Sequence, residues 1–233
     1  MLSNSLALVT GSAQRLGKAF ALTLDRIGYS IALHYRGSVT EAEKTTAEIR
    51  ALGVDCLPIR ADLTVPDKIE FLFSMVDEFH VPLKVVVNSA ALMPVGNPRD
   101  LELNDWNSAL DLNLRAPFLI AQEAAKRMEQ GGLIINISDV GAQKPWSRYP
   151  SYTVSKAGVE SLTKMLARAF APSIRVNAIA PGLVLPSDVV TPEKWEQLVK
   201  RLPLQRAATL EEITTTLEFL IKNEYITGQT IVV

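Results

Sequence analysis

Residues 6–17, which read LALVTGSAQRLG, decide the fold that the sequence predicts. Residues 6–9 form a short apolar run with strand character, and a helical pattern extending to Leu24 follows the glycines. A strand, a glycine-containing turn and a helix, in this order, are the context that a dinucleotide site requires. Gly11 allows a tight turn, Gly17 allows close helix packing or ligand approach, and the helix N-terminus offers free N–H groups to a pyrophosphate. The alternative is an ordinary strand-to-helix turn that contains two glycines.

The rest of the chain continues this alternation of strand-like runs and helical patterns. The run at 85–88 reads Val-Val-Val-Asn, and its three valines are the apolar stretch that a central parallel strand requires. The alternation predicts an α/β fold, a Rossmann-like, doubly wound parallel sheet in a three-layer α/β/α arrangement, as a single domain of residues 1–233. Ligands of such sheets bind at the carboxyl ends of the strands. The predicted strand ends carry Thr10–Gly11, residues 34–38, Asp62, residues 88–91, Ser138–Asp139 and Pro181–Gly182.

The composition limits the classes of function. The 233 residues are 48% hydrophobic and carry a formal net charge of -1 without a Lys/Arg run, so nucleic acid and membrane surfaces are poor partners. The single Cys56 excludes a disulfide within the chain, and His34 and His80 are too few for a histidine-rich metal site, so we expect no metal. Neither a signal peptide nor an apolar run of about 20 residues is recognisable, which makes a cytoplasmic location the default expectation.

Tyr152 and Lys156 follow the strand-like run 132–138 and stand four residues apart in a helical pattern. On a helix they share one face, where the ammonium group would lower the pKa of the phenol toward the working pH. The tyrosine could then give or take a proton at a carbonyl or imine while hydride moves. Such pairs also occur by chance on helix surfaces, and the surrounding sequence is what favours the catalytic interpretation.

Asn113 stands four residues before Pro117 in a helix that the pattern predicts from 104 to 128. Because proline has no N–H, the Asn113 carbonyl would lack its usual partner and the helix would bend. A functional asparagine and a simple kink are both compatible with this segment.

Three further segments are informative. Capping-box patterns at Thr40–Glu43 and Thr209–Glu212 predict the starts of two helices. Prolines ahead of a short amphipathic helix make residues 183–201 a candidate for a mobile substrate flap.

The end of the second predicted strand indicates the type of cofactor. An acidic residue there would accept hydrogen bonds from the ribose 2′-hydroxyl of NAD. The residues at 34–38 are instead His-Tyr-Arg-Gly-Ser, and Arg36 and Ser38 suit a 2′-phosphate through charge and hydroxyl donation. We therefore expect NADP(H), although a solvated loop arginine is the ordinary alternative.

Taken together, these motifs resemble the short-chain dehydrogenase/reductase family over essentially the whole chain. The match rests on Thr10-Gly11 with Gly17, Asp62-Leu63, Asn88-Ser89-Ala90, Asn113, Tyr152 with Lys156, and Pro181-Gly182. The resemblance implies hydride transfer from a nicotinamide cofactor, with Tyr152 as proton donor and Lys156 on the ribose hydroxyls. It also implies that Asn113 positions a water in a proton relay and that Asp62 and Leu63 flank the adenine. The residues expected at the cofactor are Gly11, Arg15, Leu16, Gly17, His34, Tyr35, Arg36, Ser38, Asp62, Leu63, Asn88, Ser89, Ala90, Ser138, Tyr152, Lys156, Pro181 and Gly182.

Most members of the family place a serine where this chain has Asp139, and the adjacent Ser138 should face the other way along a strand. A carboxylate is a poor oxyanion partner and opposes ionisation of Tyr152, so Asp139 should act protonated or with a substrate that offers N–H donors. The combination of Asp139, Arg15 and the residues at 34–38 makes the sequence similar to the pteridine reductase subgroup. That resemblance implies an Asp–Tyr pair that delivers protons to a pterin. The expected substrate residues are Arg15, Met93, Asp139 and Tyr152.

Two positions depart from the subgroup. Met93 stands where an aromatic ring commonly stacks on the pterin, and Gly37 stands where a phosphate-binding arginine is common. The expected function is NADPH-dependent reduction of a dihydropterin or dihydrofolate-type ring, with reduction of 3-oxoacyl thioesters or small ketones as the alternative. A third interpretation is a non-catalytic NADP-sensing regulator. The presence of Tyr152, Lys156 and Asn113 disfavours it, because a protein that only binds the cofactor has no chemical need for all three. The resemblance also implies a homotetramer formed through the helices of Asn113 and Tyr152.

Overall fold

The computed structural model describes residues 5–187 and 190–233. Its strands are β1 Leu6–Val9, β2 Ser30–Tyr35, β3 Cys56–Arg60, β4 Leu83–Asn88, β5 Gly132–Ile137, β6 Ile174–Ala180 and β7 Thr230–Val232. Its helices are α1 Arg15–Arg26, α2 Val39–Ala51, α3 Pro66–Asp77, α4 Leu103–Leu110, α5 Ala116–Arg127, α6 Pro150–Ala169, α7 Pro192–Val199 and α8 Leu210–Lys222. Within the described ranges, the seven strands form one parallel sheet in the order β3-β2-β1-β4-β5-β6-β7. This order confirms the predicted Rossmann-like, doubly wound fold.

Helices cover both faces of the sheet. Leu6 and Leu8 of β1 pack into one core with side chains of α3, α5 and α6. Ala7 and Val9 point to the opposite face and pack with α1, α2 and α8. A strand that is buried on both faces needs apolar residues, which is why Val85, Val86 and Val87 follow one another in β4 without polar alternation.

The boundary between β1 and β4 is where the chain reverses its direction across the sheet. The chain moves from β1 outward to β3 and then returns to β4 on the other side of β1, so the connections diverge at this boundary. Thr10 ties the two strand ends together, because its N–H donates to the Val87 carbonyl at 2.9 Å. Its hydroxyl oxygen also accepts the N–H groups of Ser89 and Ala90 at 2.9 and 3.1 Å. The crevice that a dinucleotide needs therefore opens beside Thr10.

The structure corrects one helix start and confirms another. The capping box predicted at Thr40–Glu43 does not form, because α2 begins at Val39 and Thr40 already lies within its first turn. Ser38 occupies the N-cap position, but its side chain makes no capping hydrogen bond. The box at Thr209–Glu212 is formed: the Thr209 N–H donates to the Glu212 carboxylate at 2.8 Å, and the Glu212 N–H donates to the Thr209 hydroxyl at 3.1 Å.

The helix predicted from 104 to 128 is interrupted at the expected place. A π-helical turn, Asp111–Arg115, joins α4 to α5. The N–H of Ala116 donates to the carbonyl of Asp111, one residue further back than in an α-helix. Pro117 cannot donate to the Asn113 carbonyl, so a widened turn is a physical consequence of this sequence. Asn113 is buried within it.

The segment after β6 contains a loop and the short helix α7. The Thr191 hydroxyl caps α7 by accepting the Lys194 N–H at 3.3 Å. The flap predicted at 183–201 includes residues 188 and 189, which lie outside the described residues, and its mobility stays a prediction. Between residues 5 and 187 and from 190 onward, no helix has the length and apolar character needed to cross a membrane.

Candidate active site

A cleft of about 580 Å³ lies at the carboxyl ends of the strands. It brings together most of the residues that the sequence singles out. These are Gly11, Arg15, Leu16, Gly17, His34, Tyr35, Arg36, Ser38, Leu63, Ser89, Ala90, Met93, Ser138, Asp139, Tyr152, Lys156, Pro181 and Gly182. The strand-end rule therefore places nucleotide-type and proton-transfer residues along one continuous wall.

Three expected site residues, Asp62, Asn88 and Asn113, do not line this cleft. Asp62 uses its carboxylate locally, accepting the N–H of Thr64 at 3.0 Å and its hydroxyl at 2.7 Å. Asn88 is buried and donates its amide to the side chain of Asn136 in β5 at 2.9 Å. The side chains of Asp62 and Asn88 thus stabilise the protein around the cleft.

The side chain of Asn113 also forms its hydrogen bonds within the protein. Its amide group donates to the Leu92 carbonyl at 2.7 Å and to the Ser155 hydroxyl at 3.0 Å. Its carbonyl oxygen accepts the Leu92 N–H at 2.8 Å. Asn113 therefore anchors the loop after β4, directly before Met93, to helix α6. A water relay at Asn113 would have to use its main-chain carbonyl, to which Pro117 offers no N–H.

The glycine turn is fixed by contacts that no larger residue would allow. Gly11 has φ +65, and a Cβ there would lie 2.8 Å from the Cα of Ala90. A Cβ at Gly17 would overlap the carbonyl oxygen of Gly11. Both glycines are needed to bring α1, β1 and the end of β4 this close. The expectation of a tight turn at Gly11 and close packing at Gly17 agrees with this geometry.

His34 stabilises the glycine turn through hydrogen bonds of its ring nitrogens. Its Nδ1 accepts the N–H of Gly11 at 3.1 Å, and its Nε2 lies 3.1 Å from the carbonyl oxygen of Ala61. Since a carbonyl only accepts, Nε2 carries the proton and the ring is neutral. Burial lowers the pKa of His34 to about 4. Both ring nitrogens are occupied, so His34 orders the Gly11 turn and has no free nitrogen for a cofactor.

Arg15 occupies the position where a third glycine is common, and it adopts a left-handed conformation with φ +56. An arginine in this region costs about 1 kcal/mol. Its guanidinium group donates to the carbonyl oxygens of Leu185 and Pro186 at 3.4 and 3.0 Å. Arg15 therefore connects the glycine turn to the segment after β6 across the cleft.

The Tyr152 hydroxyl donates to Oδ2 of Asp139 at 2.7 Å. Oδ1 of the same carboxyl group accepts the N–H of Gly141 at 2.7 Å. Desolvation raises the pKa of Asp139 above its ordinary value of 3.8, against the opposing effects of the Gly141 and Tyr152 hydrogen bonds and the Lys156 charge. Asp139 and Tyr152 thus form a proton-sharing pair in the wall of the cleft.

The expected lowering of the Tyr152 pKa by Lys156 is wrong for the protein alone. Burial raises the pKa of Tyr152 well above 10, and the neighbouring Asp139 carboxyl raises it further through its charge and its hydrogen bond. The ammonium of Lys156 lies 5.7 Å from the centre of the Tyr152 ring, whereas the carboxyl group touches the hydroxyl directly. Because charge interactions weaken with distance, the adjacent Asp139 affects the pKa of Tyr152 more strongly than Lys156 does.

Lys156 is buried, and its ammonium group donates to the carbonyl oxygen of Ile137 at 2.6 Å. Burial lowers the pKa of Lys156 to about 8, while the charge of Asp139 raises it. The adjacent Ser138 faces away from Tyr152, as the strand alternation predicts, and its hydroxyl donates to the Lys156 main-chain carbonyl at 3.3 Å and to Glu160 at 3.4 Å. Ser138 therefore does not substitute for the missing serine at 139.

The chemistry of the cleft fits a dinucleotide. The N-terminus of α1 has neither a capping side chain nor an acidic residue in its first turn, which leaves its N–H groups free for an anion. At the end of β2, Arg36 and Ser38 line the cleft, and the Ser38 hydroxyl makes no capping bond. The phosphate-binding and proton-transfer ends of the cleft are thus chemically distinct.

Sequence reasoning missed one contribution to the site. The hydroxyl of Thr10 accepts the N–H groups of Ser89 and Ala90 and so shapes the turn after β4. The threonine at a strand end was the signal that could have indicated this role. Val184, Leu185 and Ser187, which also line the cleft, fall within the segment 183–201 that the sequence singled out.

Comparisons with known proteins agree with the geometry. A family model described as enoyl-(acyl carrier protein) reductase matches residues 11–233. The 3-oxoacyl-(acyl-carrier-protein) reductase FabG of Staphylococcus aureus is 36% identical over 232 residues, covering 97% of this chain and 94% of that protein.

Two solved structures are similar in both sequence and fold. FolM alternative dihydrofolate reductase 1 from Brucella suis, in complex with NADP, has a TM-score of 0.94 and 36% identity, and the match covers 100% of this chain and 94% of that one. LugOII, a promiscuous reductase that catalyses keto-reduction at C1 in lugdunomycin biosynthesis, has a TM-score of 0.92 and 31% identity, with 99% and 96% covered.

The fold and these matches define an NAD(P)-dependent oxidoreductase with a Rossmann-like domain. The chain belongs to the short-chain dehydrogenase/reductase family.

Proposed function

We propose that this protein is an NADPH-dependent reductase of a dihydropterin or dihydrofolate-type ring, with Tyr152 and Asp139 delivering the proton. The observation that carries the proposal is the hydrogen bond between the Tyr152 hydroxyl and Oδ2 of Asp139. A carboxyl group can accept from the N–H groups of a pterin ring, which a serine hydroxyl does less well. The likeness to the FolM alternative dihydrofolate reductase supports the same substrate class.

The proposed reaction reduces a carbon–nitrogen double bond of the ring. When bound, NADPH would supply a hydride to the ring carbon and leave as NADP+. Tyr152 donates its hydroxyl proton to the ring nitrogen, so one C–H and one N–H bond form as the C=N π bond breaks. Asp139 shares its proton with Tyr152, and the Lys156 ammonium group stabilises the negative charge that develops on the phenol oxygen. Arg15 and Met93 contact the substrate ring.

The cofactor preference rests on the end of β2. Arg36 would pair with the 2′-phosphate of NADPH and Ser38 would donate its free hydroxyl, while the N-terminus of α1 would bind the pyrophosphate. Lys156 would turn from the Ile137 carbonyl toward the ribose hydroxyls. The main chain around Ser89–Ala90 and Pro181–Gly182 would line the rest of the cofactor site.

A second function, reduction of 3-oxoacyl thioesters or small ketones, has its own support. FabG of S. aureus matches at the same 36% identity as FolM of B. suis. The raised pKa of Asp139, caused by its desolvation, would allow a protonated carboxyl group to donate a hydrogen bond to a carbonyl oxygen. Met93, rather than an aromatic residue, also suits an acyl chain.

The test is NADPH oxidation by the purified protein, followed at the NADPH absorbance band. Dihydrobiopterin and dihydrofolate are compared with an acetoacetyl thioester and a panel of ketones. Turnover of the pterins supports the proposal, and turnover of only thioesters or ketones selects the second function. Tight NADPH binding without oxidation by any substrate would indicate a nucleotide-sensing regulator.

The proposal extends to the organisation of the chain. It treats residues 1–233 as a single domain in which 183–201 act as the substrate flap, and it includes a homotetramer formed through the helices of Asn113 and Tyr152. Light scattering tests the assembly, because a monomeric mass would reject it. The expected cytoplasmic location stays a prediction.

A further inference from the structure

The indole of Trp146 packs against the turn that carries Asp139. Trp146 lies half-buried in the loop between β5 and α6, and it does not line the cleft. A Cβ placed on Gly141 would lie 3.0 Å from Cζ3 and 3.1 Å from Cε3 of this indole. The ring therefore covers Gly141 at van der Waals distance, with no room for a side chain between them.

Gly141 is also the residue that holds the Asp139 carboxyl group. Its N–H donates to Oδ1 at 2.7 Å, and the same hypothetical Cβ would lie 3.0 Å from Oδ1. Gly141 has an ordinary backbone conformation, so the glycine is required by crowding and not by a left-handed φ. Gly141 thus lies between the indole of Trp146 and the carboxyl group of Asp139, in contact with both.

The position of Trp146 is set by the helix that carries Tyr152. Its ring packs edge-to-face with Tyr149, with centroids 6.3 Å apart and an interplanar angle of 71°. Its carbonyl oxygen accepts the Tyr149 N–H at 3.0 Å, directly before α6 begins at Pro150. Trp146 therefore bridges the turn of Asp139 and the N-terminus of the Tyr152 helix.

We infer that Trp146 is a positioning residue for proton delivery: through Gly141 it fixes Asp139 against Tyr152 and keeps water from the Oδ1 side of the carboxyl group. The inference rests on the proposed role of the Asp139–Tyr152 pair. It gives a physical source for the desolvation of Asp139, because a bulky apolar ring displaces water that would stabilise the carboxylate.

The other titratable groups around Asp139 act on it through charge and hydrogen bonds. Tyr152 and Lys156, both from α6, act on the carboxyl group through a hydrogen bond and a charge that favour its ionised form. Among the residues that the structure describes, the lining segments from the ends of β4 and β6 bring no titratable side chain, and Arg15 is the charged residue that the glycine turn contributes to the cleft. The contact of the Trp146 indole with Gly141 adds an apolar group on the Oδ1 side of the carboxyl group.

The test compares Trp146→Ala and Trp146→Phe with the wild-type protein. In NMR titrations of protein labelled with ¹³C-aspartate, the Asp139 carboxyl signal is assigned by its absence in Asp139→Asn. We expect Trp146→Ala to move the Asp139 titration down by about one pH unit, while Trp146→Phe, which keeps an aromatic ring, restores most of the wild-type value. Trp106→Ala, which removes a half-buried indole from α4, is the matched control and should leave the titration unchanged.

Kinetics provide the second readout. For the substrate that the wild type reduces, Trp146→Ala should lower kcat about tenfold and move the loss of activity at high pH to lower pH, with NADPH affinity unchanged. An Asp139 titration that is identical in Trp146→Ala and wild type would overturn the inference. Because the NMR arm needs no substrate, it stands apart from the pterin assignment, which the substrate panel tests.

Discussion

Oδ2 of Asp139 lies 2.7 Å from the Tyr152 hydroxyl, at the position where most members of the family present a serine. This contact changes the acid–base character of the site. A serine leaves the tyrosine to be tuned by the lysine, whereas a carboxyl group shares the phenol proton. Burial raises the pKa of both groups, and Asp139 raises that of Tyr152 further, while the Tyr152 hydrogen bond opposes the rise at Asp139. The pair titrates as a unit, and its protonated form is suited to donating a proton during reduction.

Because its pKa is raised on folding, Asp139 lowers the stability of the folded state at neutral pH. Its folded-state pKa lies above the unfolded value of 3.8 because of desolvation, so the folded state binds more protons and stability falls as pH rises through that window. Asp139→Asn should therefore raise the free energy of unfolding near neutral pH and lose this advantage below about pH 4. Denaturant titrations of both proteins at several pH values measure the difference. Equal stability of the two proteins throughout would show that Asp139 is not desolvated.

His34 should make the protein sensitive to acid. Its pKa falls from 6.5 to about 4 on folding through burial, so its contribution is complete above pH 6.5 and is lost as pH falls toward 4. The full contribution is about 3 kcal/mol, because each pH unit of displacement corresponds to about 1.4 kcal/mol. His34→Gln should remove this pH dependence from the unfolding free energy, whereas the exposed His80→Gln should retain it. A wild-type slope in His34→Gln would contradict the assignment.

Gly17→Ala should damage cofactor binding by deforming the glycine turn. The added methyl group would overlap the carbonyl oxygen of Gly11, so either α1 or the turn must move. We expect the Kd for NADPH to rise at least about tenfold, a loss of about 1.4 kcal/mol. Lys18→Ala, on the same helix and paired with Glu48, is the control that should bind normally. Fluorescence titration with NADPH measures both, and wild-type affinity in Gly17→Ala would exclude the turn from the cofactor site.

Arg36 should distinguish NADPH from NADH. If its guanidinium group pairs with the 2′-phosphate, Arg36→Ala should weaken NADPH binding about tenfold or more through loss of a charge-assisted hydrogen bond. NADH lacks this phosphate, so its affinity in the same variant is the internal control. Comparable losses for both cofactors would mean that Arg36 stabilises the loop after β2 and does not select the cofactor.

The fold was predictable because the apolar strands and long helical patterns alternate along the whole chain. The carboxyl-end rule then placed Gly11, Asp139 and Gly182 at one cleft without knowledge of coordinates, and Tyr152 joins them from α6. The pKa of Tyr152 was not predictable, because it depends on how deeply the hydroxyl is buried and on its contact with Asp139. The role of His34 was hidden for a similar reason, since its partner Ala61 follows a neighbouring strand.

Some local features were also beyond the sequence pattern. Thr40 resembles a capping residue, yet α2 already begins at Val39. The Asn113–Pro117 spacing indicated an irregular helix, but only the structure shows that the Asn113 side chain binds the main chain of Leu92. Both features depend on where a neighbouring loop lies, which helix periodicity does not encode.

The most direct test of the account is the ratio of kcat/KM for dihydrobiopterin to that for an acetoacetyl thioester, in wild type and in Asp139→Ser. The account predicts that the wild type prefers the pterin and that Asp139→Ser loses about 100-fold or more of that activity, the usual scale of a lost proton-transfer group. It also predicts that the variant, with a hydroxyl facing Tyr152, keeps or gains thioester reduction while its NADPH affinity is unchanged. A wild type that reduces the thioester and not the pterin would contradict the central claim and assign Asp139 to carbonyl reduction.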